Sequence, residues 1–119
     1  MEYSGPSVSV QIKITIDPSN NDAFLKALKP VFDRIVEEPA NTFFEVFQDA
    51  RQPGVFKLIE NWNASTEDVM KHPQTKDYLK LYFAATQPMH TKPLEVEVFN
   101  RMPGNELVSF RKDCYPGRE

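Results

Sequence analysis

Val8-Ser9-Val10-Gln11-Ile12-Lys13-Ile14-Thr15-Ile16 puts an apolar side chain at every second position. Successive side chains of a strand point to opposite faces, so this run predicts a β-strand with one apolar side. Its β-branched residues suit a pleated, half-buried surface. Asp17-Pro18-Ser19-Asn20-Asn21-Asp22 then stops the strand and offers side-chain oxygens to cap a helix. Beyond it the period changes. Phe24, Leu28, Val31, Phe32 and Ile35 recur three and four residues apart, the spacing of an amphipathic helix. Pro30 has no N–H for the Lys26 carbonyl, which predicts a kink.

Thr42 to Asp49 reads as a second strand, and Ala50-Arg51-Gln52-Pro53-Gly54 as the turn after it. Val55 to Asn63 is a third strand. Phe56, Leu58, Glu60 and Trp62 form one row and Val55, Lys57, Ile59 and Asn61 the other. Ser65-Thr66-Glu67-Asp68 has the form of a capping box, opening a short helical turn through Val69 and Met70. His72-Pro73 is expected to interrupt it, with a second helical stretch from about 73 to 85. Leu94, Val96 and Val98 alternate with Glu95 and Glu97 as a fourth strand. The order β-α-β-β-α-β gives an α+β, ferredoxin-like domain with an antiparallel four-stranded sheet over residues 1–100. Residues 101–119 form a C-terminal extension, in which Leu107 to Lys112 could add a strand or an arm.

Both helices of such a fold lie on one face. The other face would carry Ile59, Phe99, one or two of Phe43, Phe44 and Phe47, and the charges Lys13, Lys57, Glu95 and Glu97. This mixture suits a sheet facing a second copy of itself, a homodimer with the extension as an arm on the partner. A half-wet face with snorkelling lysines is the other reading.

The chain has 119 residues, 40% apolar and 26% charged, with a formal net charge of −3. This fits one domain able to bury a core. No basic block exists to neutralise phosphates, so nucleic acid is not an expected partner. No run approaches the roughly 20 apolar residues that span a bilayer. Cys114 is the only cysteine, which points to a reducing, cytoplasmic setting. Two histidines and one tail cysteine give no zinc cluster, and the sequence has no phosphate loop, nucleophile elbow, or flavin or nicotinamide fingerprint. Any oxidation would have to draw its electrons from the substrate.

Glu60 is the odd residue in its row, because a carboxylate among core residues is costly unless paired. It forms a structural ion pair, for example with Arg34, or caps a helix start, or else orients a histidine or a substrate hydroxyl. Trp62 is a core residue or a pocket wall with an indole donor. His72, followed by Pro73, is the expected N-cap of the last helix. A neutral imidazole there would accept a proton from a phenol or enol, unless it is only a surface cap. Tyr78, Tyr82 and Phe83 form a stripe which, with Phe56 and Trp62, would line a cavity for a flat apolar molecule. His90 reads as a solvated loop residue.

Together these features resemble the antibiotic-biosynthesis monooxygenase family of dimeric α+β barrels. The likeness spans about residues 8 to 100. It rests on the order of elements, on Glu38-Pro39 before the Phe-rich strand, on Phe56-Lys57-Leu58-Ile59-Glu60-Asn61-Trp62, and on Ser65 through His72. The resemblance implies oxygenation of a quinol-like or anthrone-like substrate by dioxygen with no metal, flavin or other cofactor. It also implies a pocket in each subunit, with Trp62, His72 and Glu60 as the catalytic set. Asn61, Trp62 or a pocket tyrosine would hold the substrate oxygens. Haem-degrading relatives carry an asparagine on strand one, where this chain has only Gln11, and the extension is longer than the family's usual ending. An acid–base isomerase, cyclase or lyase on the same barrel, and a non-catalytic small-molecule-binding domain, are the competing readings.

Overall fold

A computed structural model describes residues 3–117. The strands are β1 (Val8–Thr15), β2 (Asn41–Gln48), β3 (Val55–Trp62) and β4 (Glu95–Asn100). The helices are α1 (Asn21–Val36), α2 (Thr66–Thr75) and α3 (Asp77–Thr86). The sheet order is β2-β3-β1-β4 and every pairing is antiparallel, the ferredoxin-like arrangement expected from the sequence.

The alternation in β1 decides which side of the sheet is buried. Val8, Val10 and Ile14 stand over Trp62, Glu60 and Phe56 in register, and this side meets the helices. Phe24, Leu28, Val31 and Ile35 of α1 and Leu79 and Tyr82 of α3 complete the core. Each such side chain contributes about 1.5–3 kcal/mol on burial. The hairpin between β2 and β3 closes tightly against the end of β1. Ile16 N donates to Gly54 O at 2.8 Å, and a Cβ on Gly54 would lie 2.1 Å from Ile16 O, so only glycine fits there. α1 runs unbroken across Pro30.

The helical region after β3 departs from the sequence reading. Ser65 caps α2 as expected, its hydroxyl accepting from Asp68 N at 3.1 Å. The helix then passes through His72 and Pro73 and breaks at Lys76, whose φ of −119° and ψ of 117° are extended. His72 therefore lies in the last turn of α2 and does not cap a helix. Pro73 is eight positions in, where the loss of one backbone hydrogen bond is tolerated near a helix end.

The open side of the sheet carries Phe43, Glu45 and Phe47 of β2, Lys57, Ile59 and Asn61 of β3, and Glu95, Glu97 and Phe99 of β4. Phe44 and Val46 point the other way, toward the helices, opposite Glu60 and Leu58. Among the described residues, 107–112 form no strand. A short 3-10 turn, Lys112–Cys114, follows, and Phe110 stacks on Tyr115 with ring centroids 5.3 Å apart. Phe110 also borders a surface hollow with Thr42, Phe43 and Asn61, so the extension lies beside one end of its own sheet. No helix among the described residues is long and apolar enough to cross a membrane.

Candidate active site

A cavity of about 150 Å³ lies between the sheet and the helices. Val10, Ile12, Leu58, Glu60 and Trp62 form its floor, while His72, Tyr82 and Phe83 come down from the helices. Leu94, just before β4, and Val96 within it are 38% and 42% exposed and sit at the rim. A space of this size takes one benzene-sized ring, since an apolar cavity of about 150 Å³ is known to hold benzene.

Trp62 and His72 come together there, with ring centroids 4.9 Å apart. The Trp62 indole also donates from Nε1 to Glu60 Oε1 at 3.1 Å, which fixes the carboxyl from one side. Glu60 is 7% exposed, and Oε2 takes no hydrogen bond from any described residue. Burial in apolar surroundings pushes the Glu60 carboxyl up to about 7. The Trp62 hydrogen bond opposes that rise and the Glu38 charge adds to it. No ion pair forms with Arg34, whose guanidinium lies over the Tyr78 ring, 4.6 Å from its centroid.

His72 has its own carboxylate, and it is not Glu60. Nε2 of His72 lies 3.0 and 2.9 Å from the two oxygens of Glu38. The Tyr78 hydroxyl donates to Glu38 Oε2, and Lys76 Nζ is 3.8 Å from Oε1. Partial burial pushes the Glu38 carboxyl up, but the hydrogen bonds from Tyr78 and His72 outweigh it and hold it below the ordinary carboxylate range. Burial and the hydrogen bond to Glu38 push the Tyr78 hydroxyl far up. Burial also raises the Tyr82 hydroxyl, to about 12. Among the described residues no three of His, Cys, Asp and Glu converge as a metal site would require.

A family description, antibiotic biosynthesis monooxygenase, matches residues 7–82. The chain belongs to the antibiotic biosynthesis monooxygenase family. Putative monooxygenase GME11364 of Pestalotiopsis microspora is 48% identical over 114 residues, covering 96% of this chain and 95% of its own. Two solved structures described as putative antibiotic biosynthesis monooxygenases share the fold. That from Nitrosomonas europaea has a TM-score of 0.75 at 16% identity and covers 87% of this chain and 97% of its own. That from Caulobacter crescentus has a TM-score of 0.74 at 21% identity and covers 84% and 93%.

Within this member of the antibiotic biosynthesis monooxygenase family, the expected site residues divide. Glu60, Trp62, His72, Tyr82 and Phe83 share the cavity. Asn61 does not, because the two-residue period that turns Glu60 and Trp62 inward turns Asn61 to the open side, opposite Ser9 and Phe43. Phe56 is packed under the sheet's far end against Phe24, ring centroids 5.0 Å apart, and is not on the cavity wall. Tyr78 faces Glu38 and Arg34 outside the cavity. His90, expected in solvent, is half-buried, bridges to Ile16 and lines the cavity. In the sequence Glu38 stood out only as the Glu38-Pro39 pair before the Phe-rich strand, with no role in the site. Its partners lie 34 and 40 residues further along, and no local pattern carries such a pairing.

Proposed function

We propose that the chain is a cofactor-independent monooxygenase of a small, electron-rich, single-ring phenol or quinol. The observation that carries this reading is Glu60, a buried carboxyl with one oxygen unbonded, lining an apolar cavity beneath Trp62. A carboxyl raised to about 7 is poised to take a phenolic proton at neutral pH. A cavity of about 150 Å³ is filled by one ring and has no room for a flavin's three fused rings beside it. The size also favours a monocyclic substrate over an anthrone.

The reaction balances without another reductant. Glu60 removes the phenolic proton, and the phenolate passes one electron to dioxygen, giving a phenoxyl and superoxide. These join at a ring carbon that bears hydrogen, para to the oxygen in a phenol and ortho to it in a quinol, forming a C–O bond, and Glu60 returns its proton to the peroxide. Glu60 then takes the hydrogen from that carbon as the O–O bond breaks, and the departing hydroxide receives the proton as water. Phenol and dioxygen become quinone and water. The ring loses four electrons and dioxygen gains four. Dry walls protect the radical pair from water. Trp62 holds Glu60, Tyr82 and Phe83 flank the ring, and His72 supplies a second polar group.

Two chains would share the open sheet face. Phe47 and Phe99 are 41% and 46% exposed there, and Lys13 stands between Lys57 and Glu95, so the face presents apolar bulk and both charge signs. The extension would reach the partner along the same side, and exposed Cys114 suits the cytoplasm. The test is oxygen uptake with para-unsubstituted phenols and hydroquinones under ¹⁸O₂. One labelled atom per quinone supports the reading, whereas turnover that continues without oxygen would instead mark an acid–base isomerase.

A further inference from the structure

Three elements meet at one carboxylate. Glu38 follows α1, His72 is on α2 and Tyr78 is on α3, and both bond the same side chain. A carboxylate only accepts hydrogen bonds, so the His72 nitrogen facing it must carry a hydrogen. In the neutral ring the other nitrogen, Nδ1, then holds a lone pair. The Tyr78 hydroxyl is itself fixed by Arg34 lying over its ring, which leaves the carboxylate little freedom to turn.

We propose that Glu38 is a positioning residue of this site. Its carboxylate, held by the Tyr78 hydroxyl, keeps the His72 hydrogen on Nε2 and leaves Nδ1 as an acceptor for the second hydroxyl of a quinol, the first being the one whose proton Glu60 takes. Only the use of Nδ1 rests on the oxygenase reading. A merely structural tie between helices would need the contact but not a particular tautomer. A chemical role needs the tautomer, because a histidine with its hydrogen on the wrong nitrogen donates where it should accept.

The test is the ¹⁵N spectrum of the His72 ring in the full chain, with His90 as the reference in the same sample. In the unmodified protein Nδ1 should resonate as an unprotonated nitrogen and Nε2 as a protonated one. In Glu38→Gln the amide can accept or donate, so both tautomers become populated and the two resonances move toward each other while His90 stays put. Should that variant fold poorly, Tyr78→Phe keeps the carboxylate and must keep the Nε2–H form. A His72 ring with its hydrogen on Nδ1, or resonances unmoved in Glu38→Gln, would overturn the proposal. With a turned-over quinol in hand, Glu38→Gln should lower kcat/KM about 10–100-fold, the loss typical when a carboxylate that orients a metal-binding histidine is removed. Converging resonances with no turnover by either protein would support the positioning and remove the oxygenase reading alone.

Discussion

Replacing Glu60 by Gln should make the protein more stable at alkaline pH and change it least in acid. The amide keeps an acceptor for Trp62 Nε1 and abolishes the titration. In the unmodified protein burial raises the Glu60 carboxyl from the ordinary 4.5 to about 7, so the folded state holds the proton more tightly than the unfolded chain. The stability this confers is therefore fully present below about 4.5 and is lost as pH rises through 7. At 1.36 kcal/mol per pH unit the span corresponds to about 3 kcal/mol, undiminished by solvent screening because the group is buried. Urea denaturation of both proteins, followed by circular dichroism at fixed protein concentration between pH 4.5 and 8.5, reads the difference. Taking the difference cancels Asp17 and Asp49, which have lowered values and titrate in acid in both proteins, while the lowered value of Glu38, whose charge acts on Glu60, keeps it largely ionised across this range. The gap should widen by about 3 kcal/mol across that range and then level off. Parallel curves would mean that Glu60 is ionised in the fold and would remove the reason for choosing it as the base.

Turnover should rise with pH through about 7 as Glu60 ionises, and Glu60→Gln should lower kcat by roughly 10²–10⁴-fold, the usual contribution of a general base. Trp62→Phe removes the one hydrogen bond that favours the Glu60 carboxylate, so the midpoint of the pH–kcat/KM profile should move upward; an unmoved midpoint would contradict the Trp62–Glu60 contact. Lys13→Glu places an acid directly opposite Glu95 on the open sheet face and should shift the particle from two-chain to one-chain mass in sedimentation velocity. A two-chain mass that persists would place the dimer contact elsewhere.

The fold was legible because its strongest signals are local. Val8 to Ile16 fixes one strand and its inner side, and the change of period at Phe24 fixes the helix above it. The pairing of Glu60 with Trp62 was half legible, since two inward residues at i and i+2 on one strand are neighbours on one face. The same period already turned Asn61 outward, so its place on the open face follows from strand geometry. His72 was harder. A proline after it signals a helix boundary, yet the helix continues because Ser65 sets its start and Glu38 ties down its last turn. Tyr78 shares α3 with Tyr82 and Phe83, but it stands in the first turn of the helix, where its hydroxyl is taken up by Glu38 and its ring by Arg34, so it leaves the wall that the other two line. Glu38 lay beyond any window, its partners being brought to it only by tertiary packing.

Trp62 is the only tryptophan, so the protein has a single indole N–H resonance, and it reports directly on the cavity. Titrating ¹⁵N-labelled protein with phenol should move that resonance saturably, with Glu60 Oε1 still as its acceptor and the open-face amides of β1 unmoved. An indole resonance that stays fixed while phenol binds elsewhere, or does not bind, would contradict the account.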